Sequence, residues 1–342
     1  MLVILADDLT GTLDAAAPFA ARGLTVEVAL TPAAIPGALA DGPDVLSINV
    51  RSREVGAAAA QAATRAVLAA LPADAVRFKK VDSRLKGHIA AELDGTPFRA
   101  ALVAPAIPDF GRIVQGGKVT GFGVDVPIPV AGRLGPHAEK ARIPDTADMP
   151  EMASELEAAL AAGIDLLVGA RGLAEALARR MTGDAPAIGA PVPAGPGLFV
   201  IGSRDTITLA QIDHLRLRHA PAYRAAPNGR LTPDHCAGSV LTLVQAVPGE
   251  DEVSSLEVAH HLASGVFPGC VEPSATLVLS GGATAEAVLE RMGIHRFRLM
   301  GECMPGLGVA FANGHCIIAK SGGFGGAETL SEIAAQMLRD GG

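Results

Sequence analysis

Residues 2–23 read LVILADDLTGTLDAAAPFAARG, and this stretch decides the fold. Leu2 to Ala6 is an apolar run without alternation, the pattern of a strand buried on both faces in a parallel sheet. Asp7-Asp8-Leu9-Thr10-Gly11-Thr12 interrupts it with charged and small residues. A helical pattern over residues 13–22 follows, and Gly23 stops it. The alternation then recurs. Strands are predicted at 26–30, 45–50, 76–81 and 100–104, with an alanine-rich helix at 57–71. Such alternation predicts an α/β fold with a mainly parallel sheet flanked by helices. Ligands of such sheets bind beyond the carboxyl ends of the strands. Four charged clusters fall at predicted strand ends: Asp7-Asp8, Arg51/Arg53, Lys80/Asp82/Lys86 and Asp109/Arg112.

The stretch from Lys79 to His88, KKVDSRLKGH, is the densest of these. The chain holds 28 Lys and Arg together, but only six are Lys, and three of those (Lys79, Lys80 and Lys86) lie here. An ammonium is a compact point charge that meets a single carboxylate or phosphate oxygen without a planar fork. Plainer readings stand beside the functional one. The stretch could be a solvated loop. Asp7 and Asp8 could cap the first helix, although Thr10 is the better capping candidate. Arg51 and Arg53 could pair with Glu54 at the surface.

At 342 residues the chain is expected to form two domains. Its hydrophobic content of 49 % and charged content of 19 % suit a well-buried globular protein. A net charge of −8 argues against bulk nucleic-acid binding, and the absence of Trp argues against a base-stacking platform. The four cysteines, Cys236, Cys270, Cys303 and Cys316, form no C-x-x-C pair, so free thiols in a reducing cytoplasm are expected. No basic leader and no apolar run of membrane-spanning length is present, so a soluble cytoplasmic protein without a membrane partner is expected. The His residues show no metal-ligand spacing apart from adjacent His260 and His261. A homo-oligomer is left open.

Residues 111–136 read as an excursion of loops or hairpin. Residues 182–197, TGDAPAIGAPVPAGPG, read as a linker. This gives domains at 1–181 and 198–342. Residues 224–250 are poorly patterned, and short strands are expected at 298–300 and 309–311. The second half carries three small-residue loops, each after an apolar strand: GSRDT at 202–206, SGGAT at 280–284 and KSGGFGG at 320–326. Glycine lets a backbone approach a ligand and point successive N–H groups at it, and a following helix adds its positive N-terminal end. That is a phosphate site in outline, although none of the loops fits the Walker or dinucleotide pattern. Lys320, the only Lys after residue 140, opens the last loop.

These pieces together resemble the four-carbon acid sugar kinase family. The matching stretches are ADDLTGTLDAA (residues 6–16), KKVDSRLKGHIAAEL (79–93), GRIVQGG (111–117), VGARGLAEALA (168–178), GSRDTITLAQI (202–212), SGGATAEAVL (280–289), GECMPGLG (301–308) and AKSGGFGG (319–326). They span nearly the whole chain. The resemblance implies an ATP-dependent kinase, with Mg²⁺, that phosphorylates a terminal hydroxyl of a four-carbon sugar acid of the threonate, erythronate or 3-oxo-tetronate type. It implies an acid-binding N-terminal domain, an ATP-binding C-terminal domain and an active site in the cleft between them. The implied acid contacts lie among Asp7, Asp8, Arg53, Lys80, Asp82 and Lys86. The implied nucleotide contacts are Ser203, Gly281, Gly282, Ala283, Thr284, Gly306, Gly322 and Gly323.

Asp8 or Asp82 is expected to orient or deprotonate the attacking hydroxyl, and Lys320 to bear charge on the transferring group. Arg53, Lys80 or Lys86 is expected to meet the substrate carboxylate. The chain departs from the family pattern at Arg84, Lys86, His88, Arg204 and Asp205. A carboxylate at 205 would repel a triphosphate unless it holds Mg²⁺. The alternatives are a catalytically inactive sugar-acid sensor and a nicotinamide-dependent dehydrogenase. The latter lacks its G-x-G-x-x-G after the first strand.

Overall fold

The computed structural model describes residues 1–183, 185–231 and 239–339. Asp184 of the expected linker, and Cys236 and His235 in the poorly patterned region, lie outside the described residues. The chain divides into two compact units, Met1–Ile188 and Gly189–Gly342.

The sheet of the first unit runs in the order Val26–Ala29, Val45–Asn49, Leu2–Ala6, Val76–Lys80, Leu166–Gly169, Ala101–Ala104, Ala141–Arg142, and every neighbouring pair is parallel. Leu2–Ala6 and Val45–Asn49 are buried along their whole length, as an apolar run without alternation requires. Val3, Leu5, Leu46, Ile48 and Val67 pack into one core cluster on this sheet. Each fully buried aliphatic side chain of this kind contributes about 1.5–3 kcal/mol relative to exposure. The excursion after residue 111 is a small antiparallel sheet, Arg112–Gln115, Lys118–Gly121 and Ile128–Pro129.

Register is what builds the rim. Ala6 pairs with Asn49, Leu5 with Lys79, and Lys80 with Gly169. The residues that follow these strands therefore leave the sheet on one edge. Behind that edge lies a buried charge network. Lys79 and Glu92 are both fully buried, and Lys79 Nζ lies 3.1 Å from Glu92 Oε2. Ser52 Oγ donates to Glu92 Oε1. Glu92 thus ties the loop after Asn49 to the strand Val76–Lys80. Removing one partner of a buried ion pair strands the other charge, at a cost of about 3–5 kcal/mol. Glu92→Gln is therefore expected to lower the denaturation midpoint of the first unit sharply. An unchanged midpoint in urea would show that the network carries no stability.

The second unit places five parallel strands in the order Ala222–Pro227, Leu241–Val247, Gly197–Ile201, Thr276–Ser280, His315–Lys320. Leu307–Ala312 and Arg296–Met304 extend it antiparallel. Two expectations are corrected. Residues 224–250 contain parts of two parallel strands, and the short strands expected at 298–300 and 309–311 belong to a long hairpin. In Arg296–Met304 the residues of 296–301 alternate exposed and buried, so charge on the outer face hid the strand's full length. Phe199, Ile201, Ile212, Val278, Ile318, Leu330 and Ile333 form the core beside the sheet. Cys303 and Cys316 are free. Cys270 is disulfide-bonded, which corrects the expectation of four free thiols. No helix among the described residues is long and apolar enough to cross a membrane.

Candidate active site

In the first unit the helix Leu9–Ala20 begins where the first strand ends, and Asp8 is its N-cap. Asp8 Oδ1 accepts from Gly11 N at 2.7 Å, and its Oδ2 accepts from the Thr10 hydroxyl at 3.1 Å. Thr10 therefore supports the cap rather than forming it. Asp7, beside it, is buried. Arg53 donates through Nε and Nη2 to its two oxygens, the second at 2.9 Å. Arg53 also lies 3.9 Å from Asp8 Oδ2 and 4.0 Å from Asp82 Oδ2.

The two adjacent carboxylates are driven apart electrostatically. Burial opposes the charge of Asp7, but the Arg53 guanidinium, with Lys79 and Lys80, outweighs it and holds Asp7 below the ordinary carboxylate range. Burial also dominates at Asp8. There the Arg53 charge is offset by the like charge of Asp7, and the net effect raises Asp8. Arg53 is pushed up: burial works against its charge, but three carboxylates overcome it.

Asp82 Oδ1 accepts from Arg84 N at 2.8 Å, which folds the loop after Lys80 into a tight turn. Buried Leu85 has φ +56° in this turn, a conformation costly for a bulky side chain. Gly87 has φ +94°, and a Cβ there would lie 2.5 Å from Asp7 Oδ2. Glycine is thus required where the loop passes over the Asp7–Arg53 pair. Lys80 is 5 % exposed and its Nζ lies 3.7 Å from Asp14 Oδ2. Lys86 is on the same loop, but its side chain is exposed and engages no partner among the described residues.

The structure brings Asp7, Asp8, Arg53, Lys80 and Asp82 together on one rim. Sequence reasoning missed Asp14, Glu92 and the role of Arg112, whose Nη1 donates to Ser83 Oγ at 2.6 Å and fastens the turn from outside. Asp14 carried a signal: it is the one charged residue in an otherwise apolar and small-residue helix.

In the second unit Ile201, Ser280 and Lys320 pair on one rung of the sheet, so the three small-residue loops start side by side. Gly202 N donates to Ser280 O and Gly281 N to Lys320 O, both at 3.0 Å. A side chain on Gly202 would fall on Thr284 Oγ1, and one on Gly322 would fall on Ser203 Oγ, so the loops meet through their glycines. The helix Gly282–Arg291 starts at Gly281 with no side-chain cap, which leaves the N–H groups of Gly282, Ala283 and Thr284 for an anion. Gly306, at φ +80°, packs on the Phe324 ring, and Gly323 is buried within the last loop.

Lys320 is fully buried beneath this loop. Its Nζ donates to Ser321 O at 2.8 Å, Thr208 Oγ1 at 3.1 Å and Gly322 O at 3.4 Å. Burial lowers it to about 8, with the Asp205 charge opposing. Asp205 caps the helix Thr206–His219 by accepting from Ile207 N at 3.1 Å, which accounts for an acidic residue there. Arg204 is exposed. Gln211 donates to Phe324 O and Gly326 O and clamps the loop from the helix side. Among the described residues no group of three His, Cys, Asp or Glu could hold a metal ion.

Residues 2–131 match the family described as a sugar-binding N-terminal domain, and residues 241–330 match that described as a nucleotide-binding C-terminal domain. A curated D-threonate kinase of Bordetella bronchiseptica is 30 % identical, over 98 % of this chain and 97 % of its own length. A 3-oxo-tetronate kinase of Methylobacterium radiotolerans is 27 % identical, over 97 % of this chain and 98 % of its own. A solved Haemophilus influenzae protein, 18 % identical, superposes with a TM-score of 0.65 over 98 % of this chain and 100 % of that one, a likeness of fold. The chain belongs to the four-carbon acid sugar kinase family.

Proposed function

We propose that the protein is an ATP-dependent kinase that phosphorylates a terminal hydroxyl of a four-carbon sugar acid of the threonate, erythronate or 3-oxo-tetronate type. The observation that carries this reading is the geometry of the acid rim, where Arg53 bonds both oxygens of Asp7 and faces Asp8 and Asp82 beside Lys80, with Asp7 and Asp8 shifted in opposite directions. Two carboxylates whose environments push them apart mark an assignment of roles. Asp7 stays ionised and fixes Arg53. Asp8, raised by burial, is the one suited to orient the acceptor hydroxyl and take its proton. Asp82, with one oxygen committed to its own turn, holds the far side of Arg53.

On the nucleotide side, the uncapped N–H groups of Gly282, Ala283 and Thr284, with Ser203 and the backbone from Gly322 to Gly323, cradle the phosphates. Lys320 supplies positive charge from beneath the loop. Transfer breaks the bond between the terminal phosphorus and the ADP oxygen and forms one to the substrate oxygen, whose proton passes to Asp8. Mg²⁺ is expected to arrive on the phosphates and neutralise their charge, because it is commonly held by one or two carboxylates plus substrate oxygens. Asp205, which caps the helix Thr206–His219, is the carboxylate nearest Lys320 at these loops that would help hold it. The relatives named D-threonate and 3-oxo-tetronate kinase support the substrate class.

The test is ADP release from Mg-ATP with D- and L-threonate, D- and L-erythronate and their 3-oxo forms. Turnover on at least one acid is expected. No turnover on any of them would overturn the reading.

A further inference from the structure

Resting on the kinase reading, we propose that Thr208 is a positioning residue of the nucleotide site: together with Lys320 it holds the carbonyls of Ser321 and Gly322 inward, which turns the N–H groups of Gly322 and Gly323 out toward a phosphate. Thr208 lies in the first turn of the helix Thr206–His219, just after its Asp205 cap, and is fully buried. Its hydroxyl is not used as a helical threonine normally uses it. Thr12, Thr64 and Thr182 each donate to the carbonyl four residues back in the chain, the ordinary local bond. Thr208 donates instead to Gly322 O at 2.8 Å, 114 residues further on. Its oxygen accepts from Lys320 Nζ at 3.1 Å. A hydroxyl carries one proton, so the direction of this chain of bonds is fixed, from Lys320 to Thr208 to Gly322.

An ammonium has three N–H donors, and Lys320 directs them at Thr208 Oγ1, at Ser321 O (2.8 Å) and at Gly322 O (3.4 Å). None of these three acceptors is a carboxylate. The buried ammonium therefore works on the glycine loop itself. Ser321 O also accepts from Phe324 N at 3.3 Å, which closes a turn with Gly322 and Gly323 at its centre. A trans peptide sets its C=O and its N–H on opposite sides, and the peptides of this turn are trans. The N–H of Gly322 shares a peptide with the carbonyl that Lys320 holds. The N–H of Gly323 shares one with the carbonyl that Thr208 and Lys320 hold. With both carbonyls drawn toward the helix and the ammonium, both N–H groups face the other way.

Among the described residues neither of these N–H groups has an acceptor. Gly323 is buried, and a buried N–H left without an acceptor is costly until a ligand supplies one. Successive N–H groups in a turn form a concavity suited to an anion. A Cβ on Gly322 would fall on Ser203 Oγ, so the turn abuts the loop that follows Gly197–Ile201. On its other flank Gly281 N donates to Lys320 O at 3.0 Å, which fastens the turn to the uncapped start of the helix Gly282–Arg291. The two glycine amides thus extend the row of free N–H groups at that helix. Valine would fill the volume of Thr208 equally well, so packing alone does not call for the hydroxyl.

The test is titration of Mg-ADP, without acid, into wild type, Thr208→Val and Thr208→Ser. The amide resonances of Gly322 and Gly323 are followed in protein carrying isotope-labelled glycine. In wild type both amide protons are expected to move downfield, as N–H groups that donate to a phosphate oxygen do. Thr208→Val should weaken Mg-ADP about tenfold or more, the value of a charge-assisted hydrogen bond, and should abolish the movement at Gly323. Thr208→Ser keeps the hydroxyl and should recover most of both. The wild-type resonances decide the matter if Thr208→Val does not fold. Resonances of Gly322 and Gly323 that stay in place in wild type saturated with Mg-ADP would overturn the proposal. Equal affinity in wild type and Thr208→Val would do the same, as would equal losses in the Val and Ser variants. Wild type that binds no Mg-ADP would overturn it too. Wild type that binds Mg-ADP but releases none from Mg-ATP with any tetronate would overturn the kinase reading alone, and the role of Thr208 would be judged on the ADP constants and the two resonances.

Discussion

Lys320→Met is expected to lower kcat/KM for ATP by about two to three orders of magnitude, the scale on which removal of a preorganised charge-stabilising group acts. Acid binding should stay within about twofold. The ammonium is the only lysine charge in the second unit, and it lies under three small-residue loops that leave the sheet on one rung. Its hydrogen bonds to Ser321 O, Gly322 O and Thr208 also shape the glycine loop, so methionine removes both charge and scaffold. The pH dependence separates the two contributions. Burial places Lys320 at about 8. Its charge is present below that value and is lost as pH rises through it, so nucleotide affinity in wild type should fall above pH 8. Nucleotide phosphates favour the charged form, so binding above that pH should take up a proton, visible as a buffer-dependent enthalpy. The Met variant should show neither effect. Apo stability runs the opposite way: the ordinary value of 10.5 exceeds the folded one, so the unfolded chain binds the extra proton between them and this group's contribution rises with pH in that window. A wild-type nucleotide affinity that stays flat from pH 7 to 9.5 would sink the role of the Lys320 charge.

The parts of the molecule written in consecutive residues were legible in advance. Buried parallel strands announce themselves as unbroken apolar runs, and in parallel sheets register carries their loops to one edge. Asp7, Asp8, Arg53, Lys80 and Asp82 could be gathered by that argument before any coordinates. What was not legible depends on approach across the fold. Asp14 and Arg171 are 157 positions apart and meet because Pro18, which has no N–H, leaves the Asp14 carbonyl to Arg171 Nη1. Glu92 and Lys79 find each other in the interior, and nothing local marks a glutamate in a short helix as buried. The strand Ala222–Pro227 escaped because its exposed Arg224 and terminal proline break the apolar pattern, as suits the outermost strand of its sheet. The cap of the first helix was misplaced by two residues: Thr10 has a suitable hydroxyl, but Asp8 sits where the extended chain turns, and Thr10 was left to support it. A carboxylate at 205 looks like a hazard to phosphate binding in the sequence, but in the fold it caps a helix.

Asp8→Asn should cut kcat by about two orders of magnitude, at the lower end for a lost general base because phosphoryl transfer depends more on positioning than on proton abstraction. The substitution is informative because asparagine is as good an N-cap as aspartate: its amide oxygen can keep the bond from Gly11 N, and its NH2 can donate to the Thr10 hydroxyl where Oδ2 accepted from it, so the charge and basicity go while the cap stays. Asp8→Ala would lose the cap as well, about 1 kcal/mol of stability, and would confuse the two roles. The pH profile supplies the second readout. Burial raises Asp8 above the ordinary 3.8, so wild-type kcat should fall as pH drops through that raised value, and the Asn variant should lack this limb. Asp7→Asn provides the contrast. It removes a carboxylate held ionised by Arg53, frees the guanidinium that also faces Asp8 and Asp82, and should act mainly through KM for the acid and through stability. Asp7 is lowered in the folded state, so its stabilising contribution is present above the ordinary carboxylate range and is lost as pH falls through its depressed value. If Asp7→Asn removed the acid limb of kcat and Asp8→Asn left it in place, the base would be the wrong one of the two. Because Arg53 bonds both oxygens of Asp7 and stands 3.9 Å from Asp8, the geometry predicts the reverse.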